Sequence, residues 1–269
     1  MKKLLFGLVA AGFISTSGGA GVAAETTNYP QTRNEYRLGA VMWYQNAAEV
    51  KALQYQAFNI ARLRIDQALQ KPHDKKLAMV VDVDETILDT SAYEAENILS
   101  GKRYASESWL QFMLRKDARA TAGAVDLLNY VQSKGVEVFF ITNRKIAGLD
   151  ATYENLKQLG FRVKKGNMIL RTTTSDKEER RQKVLKDHEI VVFMGDSLGD
   201  FMSVFDAKDL QTREKNVDRM SSLFGSKFII LPNPMYGTWE RAIDGQAKDP
   251  DSEASLRAAR IESLRRFND

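Results

Sequence analysis

The sequence predicts an α/β fold: a parallel sheet covered on both faces by helices, with a small helical subdomain beside it. Two observations carry this expectation. Five short, nearly continuous apolar runs, at 77–81, 136–141, 168–170, 190–194 and 228–231, match strands buried on both faces. The stretches between them, at 122–131, 153–159 and 176–186, repeat at helical spacing, and strands that alternate with helices pair in parallel.

From the N-terminus, Met1-Lys2-Lys3 is basic, 4–14 is a short apolar run, and Val22-Ala23-Ala24 offers small residues for cleavage. Residues 1–24 therefore read as an export signal, since the run is well short of the roughly 20 apolar residues that span a bilayer. Residues 25–34 are polar, contain Pro30 and read as an extended arm. Residues 35–70 read as helical, with Trp43, Ala47, Val50, Ala57 and Ile60 at helical spacing and Pro72 as the stop. Residues 35–269 then form a single domain. Its helical subdomain gathers 35–70, the region around 90–120 and an arginine-rich last helix at 252–267, whose charges form a solvated face.

The chain has 269 residues, no cysteine and two histidines, with 43% hydrophobic and 28% charged residues, an ordinary globular composition. Disulfides, thiolate zinc sites, a cysteine nucleophile and a lipidated N-terminal cysteine are excluded. His73 follows a proline and His188 lies among charges, so both read as surface residues. The net charge of +4 includes Lys2 and Lys3 of the export signal, and it points to no nucleic-acid polymer.

Ligands of such sheets sit beyond the carboxyl ends of the strands. The first strand is followed by Asp82-Val83-Asp84-Glu85-Thr86, the second by Thr142-Asn143-Arg144, and the fourth by Gly195-Asp196-Ser197-Leu198-Gly199-Asp200. Lys177 opens the helix before that fourth strand. Each piece alone is weak, and the bland reading of any one is a turn or a cap. Together they bring carboxylates, a hydroxyl and an ammonium to one sheet edge. Clustered carboxylates repel unless a cation neutralises them, and oxygen-only ligands favour Mg²⁺. A calcium-loop reading of 82–93 fails, because Ile87 stands at its glycine position and Tyr93 at its last ligand position. A magnesium site beside Thr142 and Lys177 suits a phosphoryl group. The first carboxylate is then a candidate nucleophile, and the second a proton donor to the departing oxygen.

These segments resemble the four motifs of the haloacid dehalogenase superfamily. Residues 80–93, Val-Val-Asp-Val-Asp-Glu-Thr-Ile-Leu-Asp-Thr-Ser-Ala-Tyr, and Gly195-Asp196-Ser197-Leu198-Gly199-Asp200-Phe201 are similar to the two signatures of class C non-specific acid phosphatases. The likeness extends over roughly 35–265, through Val41-Met42-Trp43-Tyr44 and Leu231-Pro232-Asn233-Pro234-Met235-Tyr236.

The resemblance implies a Rossmann-like core and an exported, Mg²⁺-dependent phosphatase with an acidic optimum. Asp82 would be nucleophile and metal ligand. Asp84 would be the acid/base, with its backbone carbonyl on the metal. Asp196 and Asp200 would complete the metal site. Thr142, Asn143 and Lys177 would hold the phosphoryl group. Trp109 and Tyr236 would sandwich a substrate ring, as in nucleoside 5′-monophosphates or aryl phosphates. The bland reading of both aromatics is core packing, and Trp43, Tyr44, Phe58 and Trp239 read as core. Val83, Ile87 and Ser197 depart from the usual pattern without altering the chemistry. Asp89 stands near a position that is aromatic in some members, which bears on the ring site. Many members are lipoproteins, but without a cysteine no membrane anchor is expected, and the product is a soluble periplasmic or secreted enzyme. A homodimer is allowed. Two alternatives are a non-catalytic storage or binding protein of the same fold, disfavoured by intact Asp82 and Asp84, and a phosphotransferase, disfavoured by the lack of an inserted lid domain.

Overall fold

The structure, a computed structural model, describes residues 34–267. The expected export signal and all of the arm except Asn34 lie outside the described residues. The strands are β1 (Lys76–Val81), β2 (Leu88–Asp89), β3 (Arg119–Ala120), β4 (Glu137–Lys145), β5 (Met168–Arg171), β6 (His188–Gly195) and β7 (Phe228–Ile230). The helices are α1 (Leu38–Asn46), α2 (Ala48–Leu69), α3 (Ser91–Ser100), α4 (Ser106–Arg115), α5 (Ala124–Ser133), α6 (Leu149–Gln158), α7 (Glu178–Asp187), α8 (Leu210–Arg219), α9 (Thr238–Asp244) and α10 (Glu253–Glu262).

Five strands pair in parallel in the order β5-β4-β1-β6-β7, while β2 and β3 form a separate antiparallel ribbon. The α/β fold class is as the apolar runs predict. The central strand β1 buries both faces, because its residues alternate. Leu77, Met79 and Val81 meet Phe58, Ala61 and Ile65 of α2, Leu128 and Val131 of α5 and Leu156 of α6. Ala78 and Val80 meet Val184 of α7 together with Phe201, Phe205 and Phe228. The chain runs from β1 to β4 on one side and returns to β6 on the other. This reversal opens a crevice at the carboxyl ends of β4, β1 and β6.

The helical subdomain expected from 35–70 keeps only the first part of that segment. Ala47 adopts extended backbone (ψ 127) and divides it, with no Gly or Pro to announce the break. α2 then lies across the sheet, against β6, β7 and α5, because its Phe58, Ala61 and Ile65 stripe needs a core to bury in. α1 packs on α3, and Val41, Tyr44, Val50, Ile98 and Met235 form a separate buried cluster. α10 packs on α9, with Leu256 and Ala259 buried and Arg260 paired to Asp244 at 2.7 Å.

Two aromatic residues expected in the core lie outside it. Tyr44 and Phe58 are buried, but Trp43 is 36% and Trp239 39% exposed. α1 is covered on one face only, so Tyr44 points inward and its neighbour, about 100° around the helix, does not. His73 is exposed as expected. His188 instead packs against Phe139, 4.9 Å between ring centroids, with its Nε2 buried. Among the described residues no helix is long and apolar enough to cross a membrane.

The placement of α2 gives a direct test. Ile65 is fully buried, whereas Leu63 on the same helix is 51% exposed. Ile65→Ala is expected to lower stability by about 2–5 kcal/mol in urea unfolding, and Leu63→Ala to change it by no more than about 0.5 kcal/mol. Equal effects would place α2 off the core.

Candidate active site

At the end of β1 the chain continues the ladder for one residue, with Asp82 N–H donating to Met194 O at 2.9 Å. It then folds back sharply. Ile87 and Leu88 both donate to Val83 O, at 3.0 and 2.9 Å, so 83–88 closes as a tight loop. Glu85 takes a left-handed conformation there (φ 52), a strained choice for a residue with a side chain. Its carboxyl is held by the Thr90 N–H and Oγ1 at 2.9 and 2.6 Å and by the Tyr236 hydroxyl.

The Asp82 carboxylate meets those of Asp196 and Asp200, with one oxygen from each lying within 4.8 Å of the others. Asp200 Oδ1 accepts from Lys177 Nζ at 2.6 Å, and its Oδ2 accepts the Ser197 N–H at 3.0 Å. The same ammonium lies 2.7 Å from Asp82 Oδ1. That contact is an ion pair rather than an aligned hydrogen bond, and Asp82 Oδ1 is a buried oxygen without a hydrogen-bond donor. Asp196 accepts from Asn233 Nδ2 at 2.8 Å and Thr86 Oγ1 at 3.3 Å. The glycine at 195 is required, because a Cβ there would collide with the Asp200 carboxylate.

The electrostatics follow from burial and like charge. Burial pushes Asp82 up to about 7; Lys177 opposes the shift, while Asp200 and Asp84 reinforce it. Burial, then Asp200 and Asp82, hold Asp196 well above the usual carboxylate range. Glu85 is raised in the same way, by burial first and then by Asp84 and Asp196. Burial works against the Lys177 ammonium, but Asp200 and Asp82 outweigh it and its pKa rises. An all-oxygen donor set and three mutually repelling carboxylates that share the single Lys177 ammonium together fit a hard divalent cation. The cluster of Asp82, Asp196 and Asp200 could bind such a metal.

Asp84, two residues from Asp82, turns its side chain to Arg144, which donates to it at 2.7 Å. Thr142 is buried at the carboxyl end of β4; its Oγ1 accepts the Arg144 N–H at 3.1 Å, leaving its own proton to donate. Asn143 is exposed, with Oδ1 held by Arg180 at 2.7 Å. The two expected ring-binding residues lie in different surroundings. Trp109 on α4 stacks on Phe112 at 5.4 Å and meets Tyr93 edge-on at 4.9 Å. Tyr236 leans on the α1–α3 cluster and borders a cavity of about 680 Å³ that also touches Asp196, Asn233 and Trp239. Asp89 is engaged locally, its Oδ1 accepting the Ser91 N–H at 2.9 Å.

Sequence reasoning missed four polar residues here. Arg180 donates to Thr142 O at 2.6 Å, and buried Arg181 to Gly199 O at 2.8 Å and Asp200 O at 3.1 Å. With Lys177 they form an i, i+3, i+4 face at the start of α7, a spacing visible in the sequence. Arg144 and Glu85 sit inside motifs already noted, but only their buried contacts show what they hold.

With this geometry in place, comparisons with known proteins are informative. The family model described as "HAD superfamily, subfamily IIIB (Acid phosphatase)" matches residues 7–239. The class C acid phosphatase from Bacillus anthracis is 40% identical, with a TM-score of 0.82 over 87% of this chain and 99% of that one. The same enzyme with tungstate bound gives 39% identity and a TM-score of 0.81, over 86% and 98% of the two chains. A class B acid phosphatase of Marinomonas sp. (strain MWYL1) is 24% identical over 51% of this chain and 67% of its own length. The sheet order, the three strand ends that converge on Asp82 and these matches agree: the chain belongs to subfamily IIIB of the haloacid dehalogenase superfamily and is an acid phosphatase, a phosphomonoesterase.

Proposed function

We propose that the protein is an exported, Mg²⁺-dependent acid phosphatase that works through an aspartyl phosphate on Asp82 and prefers phosphomonoesters of ring-bearing alcohols. Asp82 carries this reading: a carboxylate at the switch point of the sheet, 2.7 Å from the Lys177 ammonium and grouped with Asp196 and Asp200. Tungstate, which is bound in the Bacillus anthracis structure, is a tetrahedral oxyanion of phosphate-like shape, in keeping with such a site here.

The phosphoryl group sits between Asp82, the Thr142 hydroxyl and Lys177. Lys177 donates to Asp200 and pairs with Asp82 at 2.7 Å, and its ammonium has a further N–H to offer a phosphoryl oxygen. Asn143, whose Oδ1 accepts from Arg180, would offer its amide N–H₂ to the same group. Bound Mg²⁺, held by Asp82, Asp196, Asp200 and the Asp84 carbonyl, would neutralise the carboxylate cluster and the phosphoryl charge. An Asp82 oxygen attacks phosphorus as the ester P–O bond breaks, and Asp84 gives its proton to the departing oxygen. Water then attacks the phosphorus of the aspartyl phosphate, Asp84 takes the water's proton, and phosphate leaves. The cavity beside Asp196 and Tyr236 offers room for the organic part.

Three outcomes test this. Asp82→Asn is expected to lower kcat at least about 10³-fold without lowering the melting temperature; full turnover would sink the nucleophile assignment. For the metal, the raised Asp82 pKa sets the sign. From about pH 4 to about pH 7 the folded, metal-free protein holds a proton that the unfolded chain has lost. Its stability therefore falls as pH rises through that window. Added Mg²⁺ should raise the melting temperature more at pH 7.5 than at pH 5, and chelation should abolish turnover. For the ring site, Trp109→Ala and Tyr236→Ala should impair nucleoside monophosphates more than glycerol phosphate, with Tyr236→Phe separating the ring from the hydroxyl that holds Glu85. Equal losses on both substrates would refute stacking.

A further inference from the structure

Arg144 leaves β4 at its carboxyl end and is 2% exposed, one of the largest fully buried side chains among the described residues. Its guanidinium is committed at both ends. Nε and Nη2 donate to Asp84 Oδ1 at 2.9 and 2.7 Å, and Nε also reaches Oδ2 at the longer distance of 3.2 Å. On the other side Nη1 donates to Thr152 Oγ1 at 3.0 Å. The Thr152 hydroxyl passes its own proton to Gly148 O at 2.8 Å, so it can only accept from Arg144. The fork is therefore braced from α6, and the Trp109 ring lies 5.7 Å from its carbon.

We propose that Arg144 is the positioning residue for the acid/base of this reaction: it fixes the plane of the Asp84 carboxyl and leaves Oδ2 as the oxygen that carries the proton. The inference rests on the reading of Asp84 as acid/base. The Arg144 side chain is 1% exposed and the Asp84 side chain 17%, so the pair faces the crevice through its carboxylate. The donors are also unevenly shared. Oδ1 takes two short bonds and Oδ2 one long one, so a proton has its place on Oδ2.

Arginine does not give up its proton, and it has no acceptor to offer. It therefore holds Oδ1 in the same way in both halves of the cycle. In the first half the Oδ2–H bond breaks, and its proton goes to the leaving oxygen as that oxygen takes the electron pair of the broken P–O bond. In the second half water attacks phosphorus, its proton goes to Oδ2, and the electron pair of the P–O bond to Asp82 returns to the Asp82 carboxylate. A lysine at 144 would keep the charge but could not hold both edges of the carboxyl in one plane.

The test uses the Mg²⁺-loaded enzyme and two substrates that differ in their need for a proton donor: glycerol phosphate, with a poor leaving group, and 4-nitrophenyl phosphate, with a good one. Arg144→Lys should lower kcat/KM, which reports only the half in which the leaving group departs, by about 10–100-fold on glycerol phosphate and by no more than about threefold on 4-nitrophenyl phosphate. Inhibition by inorganic phosphate should stay within about threefold, since positioning of the acid is a transition-state effect. Thr152→Val, which removes only the brace, should show the same selectivity in weaker form, and it carries the test where Arg144→Lys does not fold. An equal loss on both substrates, or weaker phosphate binding at unchanged kcat, would overturn the proposal. Asp84→Asn, run in parallel, separates the two levels. If it also treats the substrates alike, the acid/base role itself falls, and the role of Arg144 with it.

Discussion

Three carboxylates, Asp82, Asp196 and Asp200, meet within 4.8 Å at the carboxyl end of the central strand, where burial removes the water that would screen them. The rest of the site is organised around that repulsion. Lys177 bridges two of the three, and its pKa rises despite burial because both neighbours need it. Asp196, which lacks such a contact with the ammonium, is held by hydrogen bonds from Asn233 and Thr86. Three carboxylates share that single ammonium, and both Asp82 and Asp196 stay above the usual carboxylate range.

The scaffold answers with cations on short, rigid elements. The first turn of α7 carries Lys177, Arg180 and Arg181, and each holds a different strand-end loop: Asp82 and Asp200, Thr142 and Asn143, and the 199–200 backbone. β4 supplies Arg144 to the remaining carboxylate, Asp84. Buried charges are costly unless paired and hydrogen-bonded, and here every one of these cations is committed to a loop that carries a motif. A second layer joins the 83–88 loop to the segment before α9. Glu85 accepts from Tyr236, while Arg37 pairs with Glu94 of α3 and Glu240 of α9 at 2.7 and 2.6 Å. Tyr236 therefore has two duties, one toward the cavity it borders and one as the tie that holds a strained turn.

Family membership and the local geometry inform each other. The match with the subfamily IIIB model and with the class C enzyme makes the chain an acid phosphatase. The side-chain contacts show how this sequence holds the groups that such chemistry uses. Asp89 is tied to its own helix start, Trp109 lies among the aromatic residues of α3 and α4, and Tyr236 borders the cavity beside Asp196.

The apolar runs and the Asp-x-Asp, Thr-Asn-Arg and Gly-Asp-x-x-x-Asp segments were legible in the sequence alone. Their signals are local: a strand buried on both faces must be apolar along its length, and a motif at its carboxyl end must reach the crevice. They determined the fold class, the order of elements and the identity of the carboxylates. Only the tertiary structure divided 35–70 at Ala47 and laid α2 on the sheet, because which apolar stripe meets which surface depends on partners distant in the chain. Only it placed Trp43 and Trp239 outside the core and set Arg144 on Asp84, 60 residues away. A buried charge is defined by the neighbour that neutralises it, and that neighbour is a property of the fold rather than of the local sequence.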